Sequence, residues 1–226
     1  MCSIFSIFDL QPGDDIASLR RHALECSARQ RHRGPDWSGV HVDEGAILVH
    51  ERLAIVDPAG GAQPLKSEDG RLVLAVNGEI YNHRELHGEL RKPYRFQTAS
   101  DCEIINALYS EGEPGAFLDR LNGIFAFALW DRGRGRAVIA RDPIGVVPLY
   151  WGHDREGRLR VASEMKALVD PARTSPSSRP VTGMTAPPAS CAATTTAPGA
   201  TTTRSGAYAS HPTNCAKPSK PPCTAS

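Results

Sequence analysis

A change of composition near residue 170 limits what this chain can fold into. Residues 1–170 hold all 25 acidic residues, whereas 171–226 hold five basic residues, no acidic one and no Leu, Ile, Phe or Trp. A segment dominated by Pro, Thr, Ser and Ala buries too little apolar surface to offset the entropy lost on ordering. We therefore predict one folded domain over 1–170 and a disordered, low-complexity tail over 171–226.

The predicted domain combines short apolar strands with a few amphipathic helices. Asp14 or Asp15 can cap a helix that runs toward Gln30. Strands are predicted at 3–8, 46–50, 53–56, 71–76, 124–130, 136–141 and 159–162. Because helices and strands do not alternate regularly, the pattern favours an α+β architecture.

Two short motifs lie at predicted element ends. The strand at 71–76 stops at Asn77-Gly78, a dipeptide that tolerates positive φ and is typical of tight turns. The segment from Ser100 to Glu103 has the spacing of a capping box, which predicts a helix start and places Asp101 near the positive end of the helix dipole.

Cys2 is the strongest candidate for chemistry. Removal of the initiator Met1 would give one residue a thiol, with a free pKa of about 8.5, and an α-amine, with a pKa of about 8. Such a residue can supply both the nucleophile and its base. The alternative is a buried cysteine behind a retained methionine, since free Cys packs like a small apolar residue.

Two further positions are candidates for ligand binding. Arg52 interrupts the aliphatic stretch 48–56, so its guanidinium either meets a fixed anion or lies at a strand end with its head in solvent. The Asn77 amide and the Gly78 N–H can form an oxyanion site, although a plain turn explains the same dipeptide.

Several classes of function are not indicated. No apolar run is long enough to span a membrane, and the N-terminal run lacks the basic flank of a secretory signal. The six cysteines show no metal-ligand spacing, so we expect no metal site and a reduced, cytoplasmic protein. The net acidic domain argues against nucleic-acid binding by Arg31 and Arg33. Ser163 and Lys166 match a serine-nucleophile motif whose partner motifs are missing.

Seven segments together resemble the glutaminase domain of glutamine-dependent asparagine synthetases, a class II glutamine amidotransferase domain of the N-terminal-nucleophile hydrolase group. They are MCSIF (1–5), RHRGPDWSG (31–39), HERLAIVD (50–57), NGEIYNH (77–83), SDCE (100–103), RDPIGVVPLY (141–150) and SEMKAL (163–168). The resemblance implies a four-layer αββα sandwich of two antiparallel sheets.

The resemblance also implies a role for each candidate residue. Cys2 would attack the side-chain amide of glutamine and form a γ-glutamyl thioester, with Asn77 and Gly78 holding the oxyanion. Arg52 would bind the α-carboxylate of glutamine, and Glu79 and Asp101 its α-ammonium. The backbone of Leu53, Ala54, Ile55 and Val56 would complete the pocket. No cofactor is implied for this domain.

The chain departs from the resembled family in two ways. Ser6 and Ala99 stand where that family usually or often has Gly, and each adds a Cβ atom. The Ser-Gly-Gly-x-Asp-Ser loop of the ATP-pyrophosphatase synthetase domain, which uses ATP and Mg, does not occur. We therefore expect a chain truncated or frameshifted after about residue 170, with a natural linker-like tail as the alternative. It would be a glutaminase, an inactive glutamine-binding fragment or an ammonia donor to a separate synthetase chain; a homodimer is also open.

Overall fold

Short strands dominate the computed structural model, which describes residues 1–54, 61–169, 184–185 and 193–196. In this part of the chain the strands are β1 (Ser3–Phe8), β2 (Trp37–Val42), β3 (Ala46–Arg52), β4 (Leu65–Lys66), β5 (Leu72–Ile80), β6 (Gly123–Asp131), β7 (Arg136–Arg141), β8 (Tyr150–His153), β9 (Leu159–Ala162), β10 (Met184–Thr185) and β11 (Ala193–Thr196). The α-helices described are α1 (Ile16–Ala28), α2 (His83–Gly88) and α3 (Ile104–Glu111).

The strands form two antiparallel sheets. Within the described residues the first sheet has the order β10-β8-β9-β1-β3-β2 and the second the order β11-β7-β6-β5-β4. β1 lies inside the first sheet, between β3 and β9, and is buried along its whole length. This burial on both faces explains why its sequence is a nearly continuous apolar run rather than an alternating one.

Apolar clusters in three layers hold the sheets and helices together. One cluster lies between the two sheets and includes Ile4, Leu48 and Ala126. A second packs α1 against the outer face of the first sheet, and a third packs α2 and α3 against the outer face of the second sheet. The order helix, sheet, sheet, helix confirms the predicted four-layer αββα sandwich.

Local signals predicted some elements and missed others. Asp15 caps α1 by accepting a hydrogen bond from the Ser18 N–H, as predicted. The helix start predicted at Ser100 is confirmed, since a 3₁₀ turn at Asp101–Glu103 leads directly into α3. The capping box itself was wrong: Ser100 makes no side-chain cap, and the Glu103 carboxylate instead accepts hydrogen bonds from Gln97 and Thr98. Two separate 3₁₀ turns, Pro114–Ala116 and Leu118–Arg120, lie between α3 and β6.

The predicted turn at Asn77-Gly78 was also wrong. β5 continues through both residues to Ile80, because Asn77 pairs with Ala126 and Gly78 with Phe125 of β6. The tight-turn preference of the dipeptide is overridden by a strand neighbour that lies more than 40 residues away in the sequence. The functional candidates therefore lie on a strand rather than on a flexible loop.

Only six residues of the predicted disordered tail are described. They form the two short edge strands β10 and β11, which pair with β8 and β7. The rest of the tail lies outside the described residues. None of the described helices has the length and apolar character needed to traverse a lipid bilayer.

Candidate active site

The backbone around Cys2 is held from both sides. Cys2 directly precedes β1, and its Sγ accepts a hydrogen bond from the Leu53 N–H at 3.3 Å. On the other side, the Arg33 Nε donates to the Cys2 carbonyl at 3.3 Å. The half-buried thiol is therefore fixed beside the segment that follows β3.

A carboxylate orients Arg33 in turn. Glu164 lies 3.0 Å from the Arg33 Nη1 and also pairs with His32 and Lys166. Although burial alone would raise it, the hydrogen bonds from Lys166 and Arg33 and the nearby His32 lower the pKa of Glu164 to about 2. The carboxylate that holds Arg33 is thus ionised throughout the ordinary pH range.

Asn77 and Gly78 present hydrogen-bond donors from the middle of β5. The Asn77 side chain is 2 % exposed, and its Nδ2 has no hydrogen-bond partner among the described residues. Gly78 has φ of +143°, and a Cβ atom there would lie 2.1 Å from the Ile124 carbonyl oxygen. Only glycine can therefore occupy this position without moving β6.

Charged groups of both signs lie nearby. Arg52 ends β3 and is 7 % exposed, whereas Glu79 is exposed on β5. Asp101 is half-buried, and its Oδ2 accepts a hydrogen bond from the Ile80 N–H at 2.6 Å. Arg52 and the two carboxylates come from three separate segments of the chain.

One cavity of about 110 Å³ brings these groups together. Its walls include the candidate residues Cys2, Arg52, Leu53, Asn77, Gly78, Glu79 and Asp101. A thiol, unpartnered amide hydrogens and opposite charges thus share one small space. This combination fits a zwitterionic ligand that carries an amide or acyl group.

A second thiol, that of Cys102, also lines the cavity. It is buried and donates to the Gly78 carbonyl at 3.4 Å. Burial, followed by the nearby charge of Asp101, raises the pKa of Cys102 well above its usual value. This thiol is therefore protonated at neutral pH and unsuited to nucleophilic attack.

Not every predicted pocket residue can be placed. Leu53 contacts the Cys2 thiol, and the Ala54 N–H donates to the Asp36 carboxylate at 2.9 Å. Ile55 and Val56 lie outside the described residues. Among the side chains that are described, no cluster of three or more His, Cys, Asp or Glu residues is arranged to hold a metal ion.

The sequence pattern of the glutamine amidotransferase domain matches residues 1–205. The chain belongs to this family. Asparagine synthetase B [glutamine-hydrolyzing] of Escherichia coli (strain K12) is 56 % identical over 174 residues, covering 77 % of this chain and 31 % of that protein. Asparagine synthetase [glutamine-hydrolyzing] 2 of Oryza sativa subsp. japonica is 50 % identical over 171 residues, covering 75 % of this chain and 28 % of that protein. These relatives confirm the resemblance that the sequence motifs indicated.

Solved structures agree on the fold of this glutamine amidotransferase domain. The glutamine phosphoribosylpyrophosphate amidotransferase of B. subtilis superposes with a TM-score of 0.59 at 22 % identity, covering 74 % of this chain and 43 % of that one. A structure described as the allosteric regulatory enzyme of purine biosynthesis gives a TM-score of 0.56 at 25 % identity, with the same coverage. The chain spans about a third of the length of its curated relatives.

Sequence reasoning missed several cavity and support residues. Gln63 and Cys102 line the cavity, and Asp36 and Arg33 hold the backbone around it. Arg33, Asp36 and Cys102 lie in the segments that carry the family resemblance, but each of the four side chains binds a backbone group at least 13 residues away, so local sequence does not predict these contacts. Ser163, set aside as a nucleophile, is fully buried and accepts from the Ile4 N–H at 3.0 Å.

Proposed function

We propose that this domain hydrolyses glutamine to glutamate and ammonia. The observation that carries the proposal is the cavity in which the Cys2 thiol and the unpartnered Asn77 amide lie together with Arg52, Glu79 and Asp101. A free amino acid has one carboxylate and one ammonium group, so charges of both signs can hold it in a single orientation. Its side-chain amide then faces the thiol.

The reaction follows from the groups in the cavity. The Cys2 sulfur attacks the amide carbon, and the oxyanion that forms receives hydrogen bonds from the Asn77 Nδ2 and the Gly78 N–H. The α-amine of Cys2 takes up the thiol proton as the sulfur attacks, and the resulting Cys2 α-ammonium passes this proton to the leaving nitrogen; the carbon–nitrogen bond breaks, ammonia leaves and a thioester remains. Water then hydrolyses the thioester to glutamate and restores the thiol.

The α-amine of Cys2 can act as base only after Met1 is removed. Met1 is 55 % exposed at the edge of the cavity, where a processing enzyme can reach it. We therefore propose that the active form begins at Cys2. Intact-mass measurement of the purified chain tests this step, and full turnover by a chain that retains Met1 would contradict it.

The test of the main proposal is glutamate release from glutamine by the purified chain. Cys2→Ala should abolish turnover, whereas Cys26→Ala, which removes a thiol from α1 on the far side of the first sheet, should leave it unchanged. Equal turnover by the wild type and Cys2→Ala would overturn the proposal. Calorimetric binding of glutamine without ammonia release would instead support an inactive, glutamine-binding fragment.

We further propose that the ammonia serves the ATP-dependent conversion of aspartate to asparagine. The curated relatives are glutamine-hydrolysing asparagine synthetases, and this chain corresponds to about a third of their length. The synthetase step, with its ATP and Mg, would then reside in a separate domain or chain. Asparagine formation from glutamine only when this chain and an ammonia-using synthetase chain are mixed would support the proposal, and light scattering would distinguish that complex from a homodimer.

We propose that glutamine hydrolysis itself needs no metal or cofactor, because thiol, amine and amide groups suffice for the steps above. Turnover should therefore persist in a chelator.

The described cysteines are free thiols, which supports a reducing, cytoplasmic location.

A further inference from the structure

Among the described residues, most of the β5 edge opposite β6, which carries Gly78, has no strand neighbour. β4 pairs only with Val73 and Leu74 among the described residues. Beyond them, four side chains take up peptide groups of β5. Gln63 accepts from the Val76 N–H at 2.8 Å, His50 Nε2 donates to the Val76 carbonyl at 3.0 Å, Cys102 donates to the Gly78 carbonyl at 3.4 Å, and Asp101 accepts from the Ile80 N–H at 2.6 Å.

The Gly78 N–H points to the same edge. Residues in an antiparallel ladder alternate between pairs that exchange hydrogen bonds and pairs that do not. The carbonyl of Phe125, the partner of Gly78, accepts from the Asp142 N–H on the other side of β6. Gly78 and Phe125 are therefore a non-bonded pair, and the Gly78 N–H is directed away from β6 toward the cavity.

His50 reaches this edge from the other sheet. It lies within β3, between Ile4 of β1 and Gly39 of β2, and is fully buried. Its Nδ1 has no hydrogen-bond partner among the described residues, so the single proton of the neutral ring belongs on Nε2, where the Val76 carbonyl accepts it.

We propose that His50 is a positioning residue for the oxyanion donors. The Nε2–H of His50 fixes the Val76 carbonyl, which belongs to the same peptide group as the backbone nitrogen of Asn77. The orientation of this peptide group sets the direction of the Asn77 side chain. His50 acts through Asn77 and does not touch the substrate. The inference rests on the proposed glutamine hydrolysis.

The protonation state of His50 agrees with this role. Burial, together with the nearby positive charge of Arg52, lowers the pKa of His50 to about 4, even though the hydrogen bond to Val76 favours the charged form. The ring is therefore neutral at pH 7 and contributes a directed donor rather than a charge.

An apolar side chain would fill the layer between the sheets without leaving a ring nitrogen unpaired. Leu48, two residues earlier on the same face of β3, belongs to that layer. A buried polar atom without a partner costs stability. A leucine at position 50 would satisfy packing alone, whereas only a donor at this point can hold the Val76 carbonyl.

The test compares His50→Gln, whose amide nitrogen can replace the Nε2 donor, with His50→Leu, which cannot donate. We expect kcat for glutamine hydrolysis to fall at least tenfold in His50→Leu with KM within about twofold, and most of kcat to return in His50→Gln. His87→Gln, on the exposed face of α2, is the matched control. Equal loss of kcat in both His50 variants would overturn the inference, as would a change in KM alone.

A spectroscopic measurement separates this inference from the proposed function. In ¹⁵N NMR at pH 7, His50 of the wild type should be neutral with its proton on Nε2. The Asn77 side-chain amide signals should shift in His50→Leu and remain near their wild-type positions in His50→Gln. A His50 proton on Nδ1, or unchanged Asn77 signals in His50→Leu, would overturn the positioning role whether or not the chain hydrolyses glutamine.

Discussion

Gly78 packs directly against the carbonyl oxygen of Ile124, with only 2.1 Å available where any other residue would place its Cβ atom. The two residues lie on neighbouring strands at the wall of the cavity. The close approach of β5 and β6 therefore depends on glycine.

Gly78→Ala should cost both stability and activity. The added methyl must push β6 away, and the alanine must also adopt a φ of +143°. We therefore expect the free energy of unfolding to fall by about 2 kcal/mol and kcat/KM for glutamine to fall at least tenfold. Denaturant unfolding and glutamate release measure the two effects. Gly88→Ala, where a Cβ atom meets nothing within 4 Å, is the control, and an equal loss there would contradict the explanation.

Asp101→Asn should weaken glutamine binding more than it slows the chemical step. The asparagine can still accept the hydrogen bond from the Ile80 N–H, so the strand stays in place and only the negative charge is lost. A charge-assisted hydrogen bond contributes about 1.5–3 kcal/mol, which corresponds to a rise in KM of roughly tenfold or more. Steady-state kinetics check this, with Asp119→Asn on the exposed surface as control. An unchanged KM would remove Asp101 from the binding site.

Two buried serines should respond in opposite ways to replacement by alanine. The Ser6 hydroxyl has no hydrogen-bond partner among the described residues, so Ser6→Ala should raise the free energy of unfolding by about 1 kcal/mol. Ser163→Ala removes an acceptor from the Ile4 N–H and should lower it by about 1–3 kcal/mol. Thermal unfolding of the two variants measures both changes. A destabilised Ser6→Ala would mean that the Ser6 hydroxyl makes a hydrogen bond in solution.

The stability of the protein should fall between pH 6.5 and pH 4 because of His50. The pKa of His50 is about 4 in the folded protein, whereas its ordinary value is 6.5. Between these two pH values His50 is protonated in the unfolded chain but stays neutral in the folded one. The contribution of neutral His50 to the free energy of unfolding is therefore complete above pH 6.5. It falls by on the order of 3 kcal/mol as the pH drops toward 4. Urea unfolding at several pH values measures the slope. His50→Gln should flatten it, and an identical slope in that variant would contradict the assignment.

Local sequence signals predicted the elements whose causes are local. Asp15 caps α1 because its carboxylate reaches an N–H three residues later, and the apolar run after Cys2 forms the buried β1. The continuation of β5 through Asn77 and Gly78 could not be predicted in this way, because it depends on pairing with β6. The same holds for Glu103, whose carboxylate binds the preceding loop rather than capping a helix.

The candidate site divides in the same way. Cys2, Arg52, Asn77 and Asp101 stand out as reactive or charged residues within recognisable motifs, and the structure places them around one cavity. His50, Gln63 and Cys102 contact backbone groups of β5 that lie 13 to 26 residues away in the sequence. His50 and Cys102 lie in the same motifs as Arg52 and Asp101, but the contacts of all three side chains depend on how distant segments pack, so local sequence does not predict them.

The side chains along the open edge of β5 also oppose the addition of a strand from another copy of the protein. A strand edge with unpaired peptide groups is a template on which another polypeptide can add as a further strand. On this edge of β5, His50 and Gln63 engage both peptide groups of Val76, Cys102 engages the Gly78 carbonyl and Asp101 the Ile80 N–H. The Gly78 N–H still faces the cavity, where a small molecule has room to reach it, whereas an added strand would find no continuous row of free peptide groups to pair with.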